Sequence, residues 1–256
     1  MRRTIDYGER GQVTVEGNDK AVAGLATEDL ALAYLRAERQ GRPALVALSG
    51  GSTPKAMFEI FKDPRFRRRI VWERMHLFWG DERWVPIDDD ESNAGAARRG
   101  FIDDIGLAEE NWHPWPTHLD DSNEAATAYE TSIRIIANAL DSTPAFDLVY
   151  LGMGDDGHTA SLFPGTEAVH EQSRLAIAHD VPKLDATRLT MTPKLINNAK
   201  EVIFLVTGAG KAEMLHKVLD GPVDVDTMPS QVIRPENSRL RWIVDEAAAA
   251  RLERKK

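Results

Sequence analysis

Short runs of apolar residues alternate along the chain with longer stretches in which apolar residues recur every three or four positions. The short runs predict buried strands at residues 12–17, 43–48, 74–79, 146–152, 201–207 and 239–244. The stretches between them predict helices at 18–40, at 54–61, from Asp121 through Leu140, from about Lys211, and at the carboxyl terminus up to the final Glu-Arg-Lys-Lys. This alternation indicates βαβ units and a mainly parallel sheet with helices on both faces.

The organisation of the chain points to one unit. No stretch is rich enough in Gly, Ser or Pro to act as a linker, so residues 1–256 are expected to form a single domain. Residues 103–120, which hold two prolines among tryptophans, are expected to be a surface excursion. Since parallel α/β sheets bind ligands at the carboxyl ends of their strands, the residues after each strand are the first candidates for a site.

Composition limits the surroundings and partners of the chain. Its 256 residues include 32 Lys and Arg, 41 Asp and Glu, a net charge of −9 and no cysteine. The lack of cysteine excludes disulfides and thiolate chemistry and fits a reducing compartment. The basic start is not followed by a secretory apolar region, and no apolar run approaches the ~20 residues of a membrane span. We expect a cytoplasmic protein without membrane or nucleic-acid partners, which would hold any anionic ligand by local positive charge.

A loop of small and hydroxylated residues follows the strand at 43–48. It comprises Ser49, Gly50, Gly51, Ser52, Thr53 and Pro54. Glycines let the backbone approach a ligand, Ser52 or Thr53 is suited to cap the next helix, and the helix start favours an anion. The loop therefore predicts an anion site, with a tight capped turn as the alternative. It also resembles, weakly, a nucleophile elbow built on Ser49.

Charged residues follow the strand at 74–79. Asp81, Glu82 and Arg83 form either a polar edge of the site or a solvated turn. The acidic run 88–91 is interpreted as a solvated helix start, because the spacing and glycine of an EF-hand are missing.

The richest stretch, residues 152–164, follows the strand at 146–152. Its Gly-Met-Gly-Asp-Asp-Gly matches the dinucleotide pattern formally, but Pro164 leaves room for only about two helical turns and two carboxylates would repel a pyrophosphate. A catalytic interpretation fits better, with Asp156 fixing the tautomer of His158 and raising its basicity. A structural histidine in a turn is the alternative.

Two basic residues complete the candidate set. Arg188 lies in a strand-like segment, 188–192, and Lys211 lies at a predicted helix start. A lysine at the positive end of a helix is unfavourable unless an anion offsets it, so Lys211 is either an anion ligand or a plain surface residue.

Several segments together resemble the 6-phosphogluconolactonase family. They are Leu-Ser-Gly-Gly-Ser-Thr-Pro-Lys at 48–55, Phe-Trp-Gly-Asp-Glu-Arg-Trp-Val-Pro at 78–86 with Ser92 and Asn93, 151–165, 188–199 and 206–215. The motif Gly-x-Asp-Gly-His-Thr-Ala-Ser-Leu-Phe-Pro is specific to these lactonases. In the related glucosamine-6-phosphate deaminases Asn-Glu-Pro stands at the place of Leu162, Phe163 and Pro164, so the deaminase acid is missing here. Lys194 is a minor departure from the lactonase pattern.

The resemblance implies a Rossmann-like three-layer α/β/α sandwich that hydrolyses 6-phospho-D-glucono-1,5-lactone in the pentose phosphate pathway without a metal or organic cofactor. It implies His158 as general base supported by Asp156, and Asp81 and Arg83 on the sugar side. Residues implied to hold the phosphate are Ser49, Gly50, Gly51, Ser52, Thr53, Arg188 and Lys211. The oxyanion donor is either Arg83 or a loop N–H such as that of Gly157. A monomer or weak homodimer is expected.

Three other functions remain as alternatives. An amino-sugar-phosphate isomerase or deaminase lacks its acid in this sequence. A sugar-phosphate sensor domain would keep the serine–glycine loop and lose the pair Asp156 and His158, which is intact here. A serine esterase would use Ser49 as nucleophile.

Overall fold

Two sheets organise residues 2–235 and 238–252, the part of the chain that the computed structural model describes. The strands are β1 (Arg3–Asp6), β2 (Gln12–Glu16), β3 (Ala44–Leu48), β4 (Met75–Trp79), β5 (Asp81–Arg83), β6 (Trp112–His113), β7 (Leu148–Leu151), β8 (Ala176–Val181), β9 (Ala186–Met191), β10 (Glu201–Val206) and β11 (Arg239–Asp245). The main sheet has the order β1-β2-β11-β10-β7-β3-β4-β6, and a smaller sheet has the order β5-β9-β8.

The main sheet confirms the predicted α/β class. Its strands pair in parallel except β1, which runs antiparallel to β2. Every residue of β3, β7 and β10 is buried, as the continuously apolar runs require when helices cover both faces. The result is the Rossmann-like three-layer arrangement, with β3, β7 and β10 at its centre.

The helices are mostly where the periodicity predicts them. They are α1 (Asp19–Arg39), α2 (Ser52–Lys62), α3 (Pro64–Arg67), α4 (Asn93–Ala97), α5 (Asp103–Ile105), α6 (Ser122–Ile136), α7 (Pro193–Asn197) and α8 (Ala212–Asp220). A π-helical segment, Arg98–Ile102, joins α4 to α5. None of the described helices combines the length and apolarity needed to cross a bilayer.

Two predicted helix ends are wrong. Helix α6 stops at Ile136, and Leu140 is 66% exposed instead of buried. Asn138, two residues beyond the helix, adopts a φ of 51°, a left-handed conformation that ends helices. At the carboxyl terminus only a 3-10 turn, Ala248–Arg251, follows β11, and the final four residues lie outside the described part.

Residues 103–120, predicted as a surface excursion, are mostly exposed or half-buried but are anchored to the core through Trp115. Trp115 is 2% exposed and stacks on Tyr129 of α6, with 3.8 Å between ring centroids. Its indole nitrogen donates to the carbonyl of Trp79 at 2.9 Å, and the Tyr129 hydroxyl both donates to that carbonyl and accepts from the Trp79 N–H. These bonds fix the end of β4 directly before the charged segment β5.

Candidate active site

A cavity of ≈ 280 Å³ lies at the carboxyl ends of the neighbouring strands β3, β7 and β10. It brings together nine of the eleven residues that the sequence singles out. They are Ser49, Gly50, Gly51, Ser52, Thr53, Asp81, Arg83, His158 and Lys211. The cavity therefore lies where parallel α/β sheets bind ligands. The two exceptions, Asp156 and Arg188, do not line it.

Asp156 stands behind His158 and orients it. The Nδ1 atom of His158 is 2.6 Å from Oδ1 of Asp156, and the imidazole stacks on Phe163 with 4.2 Å between centroids. A methyl group at Gly154 would lie 2.0 Å from Nδ1, so only glycine leaves room for the ring. The imidazole is thus held on three sides while its edge faces the cavity.

A third residue, Lys183, forms an ion pair with Asp156 and favours its ionised form. Its Nζ lies 2.8 Å from Oδ2 of Asp156. Burial raises the pKa of Asp156, but the hydrogen bonds from Lys183 and His158 outweigh it and hold that pKa well below its ordinary value. An ionised Asp156 accepts a hydrogen bond from the Nδ1–H of His158, and in that tautomer Nε2 keeps its lone pair and is available as a base.

The loop that carries this pair is fixed by its own backbone. The Gly154 N–H donates to the His158 carbonyl at 2.8 Å, and the Gly157 N–H donates to the Gly154 carbonyl at 3.1 Å. Gly157 has a φ of 79°, and Ser230 donates to its carbonyl from both N and Oγ. Of the two oxyanion donors considered from the sequence, Arg83 lines the cavity, whereas the Gly157 N–H is engaged within the loop.

The turn after His158 is strained. Ala160, which lines the cavity, has a φ of 46°, a value uncommon for a residue with a side chain. The Thr159 hydroxyl donates to the Gly152 carbonyl at 2.8 Å and ties the turn to the end of β7. Such strain is frequent where a loop is shaped for a ligand.

The serine–glycine loop leads into α2 without a side-chain cap. Gly51, with a φ of 107°, stands at the N-cap, so the capping role predicted for Ser52 or Thr53 is wrong. Thr53 instead shares a hydrogen bond of 3.1 Å with Thr207. The first N–H groups of α2 have no carbonyl partner within the helix, which leaves them for a ligand in the cavity. Gly50 packs so closely that a methyl there would lie 1.9 Å from Oδ1 of Asn93.

The charged segment after β4 is a strand, β5, whose residues alternate in direction. Asp81 lines the cavity and accepts from the Ser161 hydroxyl at 2.9 Å, and burial raises its pKa although that bond opposes the shift. Arg83 also lines the cavity and donates to the Glu91 carbonyl at 2.5 Å. Glu82 is buried on the other side and accepts from the Asn93 N–H at 2.7 Å. The segment thus has one face toward the cavity, with Asp81 and Arg83, and one buried face, with Glu82.

The helix predicted to start in the acidic run 88–91 starts later. Helix α4 begins at Asn93, and Ser92 caps it by accepting from the Gly95 N–H at 2.9 Å. The buried Glu82 carboxylate also accepts from the Ala94 N–H at 2.8 Å and so takes the favourable position at this helix start.

The two predicted basic ligands differ in position. Lys211 ends the 3-10 turn Ala209–Lys211 before α8, lines the cavity and lies 2.6 Å from Oδ1 of Asp155. Arg188 on β9 pairs in register with Arg83 on β5 and is not among the described residues that line the cavity. Burial, and then the charge of Arg83, lower the pKa of Arg188. Lys211 therefore lines the cavity itself, whereas Arg188 is the register partner of a residue that lines it.

Sequence reasoning missed four residues of this region. Thr207 directly follows β10, so the rule of strand ends would have found it. Ala160 carries no chemical signal. Lys183, in the connection between β8 and β9, and Asp155 contribute through contacts between side chains, which residue spacing does not reveal.

Gly154→Ala is expected to lower kcat at least tenfold while the protein stays folded. The new methyl would occupy the place of the imidazole and push His158 off Asp156. Steady-state rates and thermal unfolding of the purified variant measure both effects. Gly210→Ala is the control, because a methyl there meets nothing within 4 Å. Full activity of Gly154→Ala would show that the observed ring position is not needed.

Comparison with known proteins shows which protein family the chain is similar to. Residues 17–242 match the family model described as glucosamine-6-phosphate isomerases/6-phosphogluconolactonase. The 6-phosphogluconolactonase of Synechocystis is 40% identical over 81% of this chain and 84% of its own length, and that of Mycobacterium leprae is 35% identical over 94% and 98%. The solved 6-phosphogluconolactonase from Trypanosoma cruzi superimposes with a TM-score of 0.85 at 28% identity, covering 98% of this chain and 100% of its own.

Proposed function

Since the chain belongs to the glucosamine-6-phosphate isomerase/6-phosphogluconolactonase family, we propose that His158 performs its reaction by activating a water molecule. The chain is a carboxylic ester hydrolase: it converts 6-phosphogluconolactone to 6-phosphogluconate in the pentose phosphate pathway. The observation that carries the proposed mechanism is the 2.6 Å contact between Asp156 and His158 at the wall of the cavity.

The reaction needs one base and one acid, and a single imidazole serves as both. Nε2 of His158 takes a proton from water as its oxygen bonds to C1 of the lactone. The bond between C1 and the ring oxygen then breaks, and the imidazolium returns the proton to that oxygen. Asp156 stabilises the imidazolium between the two transfers. A lactone carbonyl is activated, so the mechanism uses neither a covalent nucleophile nor a cofactor.

Arg83 is proposed to stabilise the charge that develops on the carbonyl oxygen. One of its five N–H groups bonds to the Glu91 carbonyl, which fixes the guanidinium and leaves the others for a ligand. Asp81, held by Ser161, is proposed to accept hydrogen bonds from the sugar hydroxyls. These two residues come from one strand, so they would act on neighbouring parts of the substrate.

The phosphate is proposed to bind between the serine–glycine loop and Lys211. Both line the cavity, and the loop contributes the free N–H groups at the start of α2 together with the hydroxyls of Ser49, Ser52 and Thr53. Arg188, the register partner of Arg83, is proposed to add positive charge to the same phosphate site. Local charge of this kind fits an anionic substrate on a protein of net charge −9.

The alternative functions find less support. A deaminase needs a further acid for its reaction, but Asp81 is the only carboxylate among the described residues that line the cavity. Leu162 and Phe163, at the place of the deaminase Asn and Glu, are buried, and Phe163 stacks on His158. The Ser49 hydroxyl donates to the Gly50 carbonyl at 3.2 Å, and not to an imidazole as a serine esterase needs.

Ser49→Ala tests water activation against covalent catalysis. Because Ser49 is assigned to binding, its loss is expected to raise KM several-fold and to leave kcat within about tenfold of the wild type. Steady-state rates and mass spectrometry of the wild type mixed with substrate measure both points. A complete loss of turnover together with an acyl adduct on Ser49 would establish the esterase mechanism instead.

The setting is proposed from the composition. The chain is proposed to act in the cytoplasm as a single domain, 1–256, and as a monomer or weak homodimer. Its lack of cysteine suits a reducing compartment.

A further inference from the structure

Lys211, the cation assigned to the phosphate, already has an anionic partner. Its Nζ lies 2.6 Å from Oδ1 of Asp155, and its side chain is 28% exposed. Asp155 is 80% exposed and belongs to the same glycine loop as Asp156 and His158. Asp155 does not itself line the cavity, but its carboxylate bonds the same ammonium group that the phosphate of the substrate is proposed to bind.

The carboxylate and the phosphate compete for one ammonium group. A phosphate dianion that reaches Lys211 also meets the negative charge of Asp155, and like charges at this range repel. An exposed ion pair is weak, so displacing the carboxylate costs little, and solvent is available on its open side. Binding of the phosphate is then an exchange of counter-ions at Lys211.

We propose that Asp155 is the resident counter-ion of Lys211 and sets the affinity of the enzyme for phosphorylated ligands. This inference rests on the proposed phosphate role of Lys211. Asp155 weakens the binding of the substrate and of the product alike, because both carry the same phosphate. It thereby favours product release and does not stabilise the transition state selectively. An unphosphorylated lactone leaves the pair of Asp155 and Lys211 intact.

The test is Asp155→Asn, which removes the charge and keeps the size of the side chain. Titration calorimetry with 6-phosphogluconate is expected to show a Kd lower by about two- to fivefold, the range of an exposed ion pair. KM should fall by a similar factor without a rise in kcat. The gain should shrink at 1 M salt. An unchanged or higher Kd would overturn the inference.

A matched control comes from a remote pair. Asp104, 61% exposed, lies 3.6 Å from Lys62, which is 29% exposed and does not line the cavity. Asp104→Asn should leave the Kd of 6-phosphogluconate unchanged, and so should Asp155→Asn when gluconate replaces the phosphorylated product. An equal tightening by both variants would show a general effect of net charge and contradict the exchange.

Lys211→Ala separates this inference from the proposed function. If Lys211→Ala weakens binding of 6-phosphogluconate but Asp155→Asn has no effect, the phosphate role stands and the exchange is wrong. If Lys211→Ala does not change the Kd of 6-phosphogluconate, the phosphate role of Lys211 is wrong, and the proposed exchange is then wrong as well. In the double variant the effect of Asp155→Asn should be smaller than in the wild type. An equal effect would mean that Asp155 only repels the phosphate through space, which overturns the exchange.

Discussion

Replacing His158 with alanine is expected to lower kcat by about 10²–10⁴ and to leave the fold intact, the usual consequence of losing a general base. The imidazole is held by Asp156, by Phe163 and by the space that Gly154 leaves, so it occupies one position at the cavity wall. Its side chain is 30% exposed, so its removal opens no cavity in the core. Steady-state kinetics of the purified variant with freshly generated lactone measure the loss.

A second histidine provides the control for this prediction. His170 also pairs with an aspartate, Asp226, at 2.6 Å, but it is more than half exposed and does not line the cavity. His170→Ala should keep nearly full activity. Activity of His158→Ala within a few-fold of the wild type would remove His158 from the mechanism.

The second large effect concerns the phosphate: unphosphorylated glucono-1,5-lactone is expected to be a poor substrate. A charge-assisted hydrogen bond contributes about 1.5–3 kcal/mol. Lys211 and the N–H groups at the start of α2 would together contribute about 3–6 kcal/mol, or about 10²–10⁴ in kcat/KM. Part of this factor should appear in kcat, because binding energy far from the reacting carbon orients it.

Variants of the two basic residues locate that preference. Lys211→Ala should reduce the ratio of kcat/KM for the two lactones strongly, and Arg188→Ala should reduce it less, because Lys211 lines the cavity and Arg188 does not. Lys194→Ala is the control, since Lys194 donates to the Ser173 carbonyl away from the cavity. A wild-type ratio near one would show that the site does not recognise the phosphate. If the variants slow the hydrolysis of both lactones equally, Lys211 and Arg188 do not recognise the phosphate.

The central strands and the place of the cavity were predictable from the sequence. Fully buried parallel strands require continuous apolar runs, and β3, β7 and β10 have them. The rule that ligands bind at strand ends then led to the loop at Ser49 and to the pair Asp156 and His158. The residue types in these loops were sufficient to suggest their chemistry.

The smaller sheet was not predictable as a unit. Its strand β5 has three charged residues, and one of them, Glu82, is buried only because the start of α4 provides N–H donors for it. The periodicity of α6 continued to Leu140, whereas the backbone of Asn138 ended the helix. The ion pairs of Lys183 and of Lys211 with the glycine loop join residues far apart in the chain, so they depend on the tertiary fold.

The rate of acid release from freshly generated 6-phosphogluconolactone tests the central claim most directly. The lactone also hydrolyses spontaneously, so the wild type, His158→Ala and a sample without protein are followed side by side in a pH-stat. The proposed mechanism predicts rapid release with the wild type and a rate with His158→Ala that is lower by about 10²–10⁴. Wild-type release no faster than the spontaneous rate, or equal release by both proteins, would contradict it.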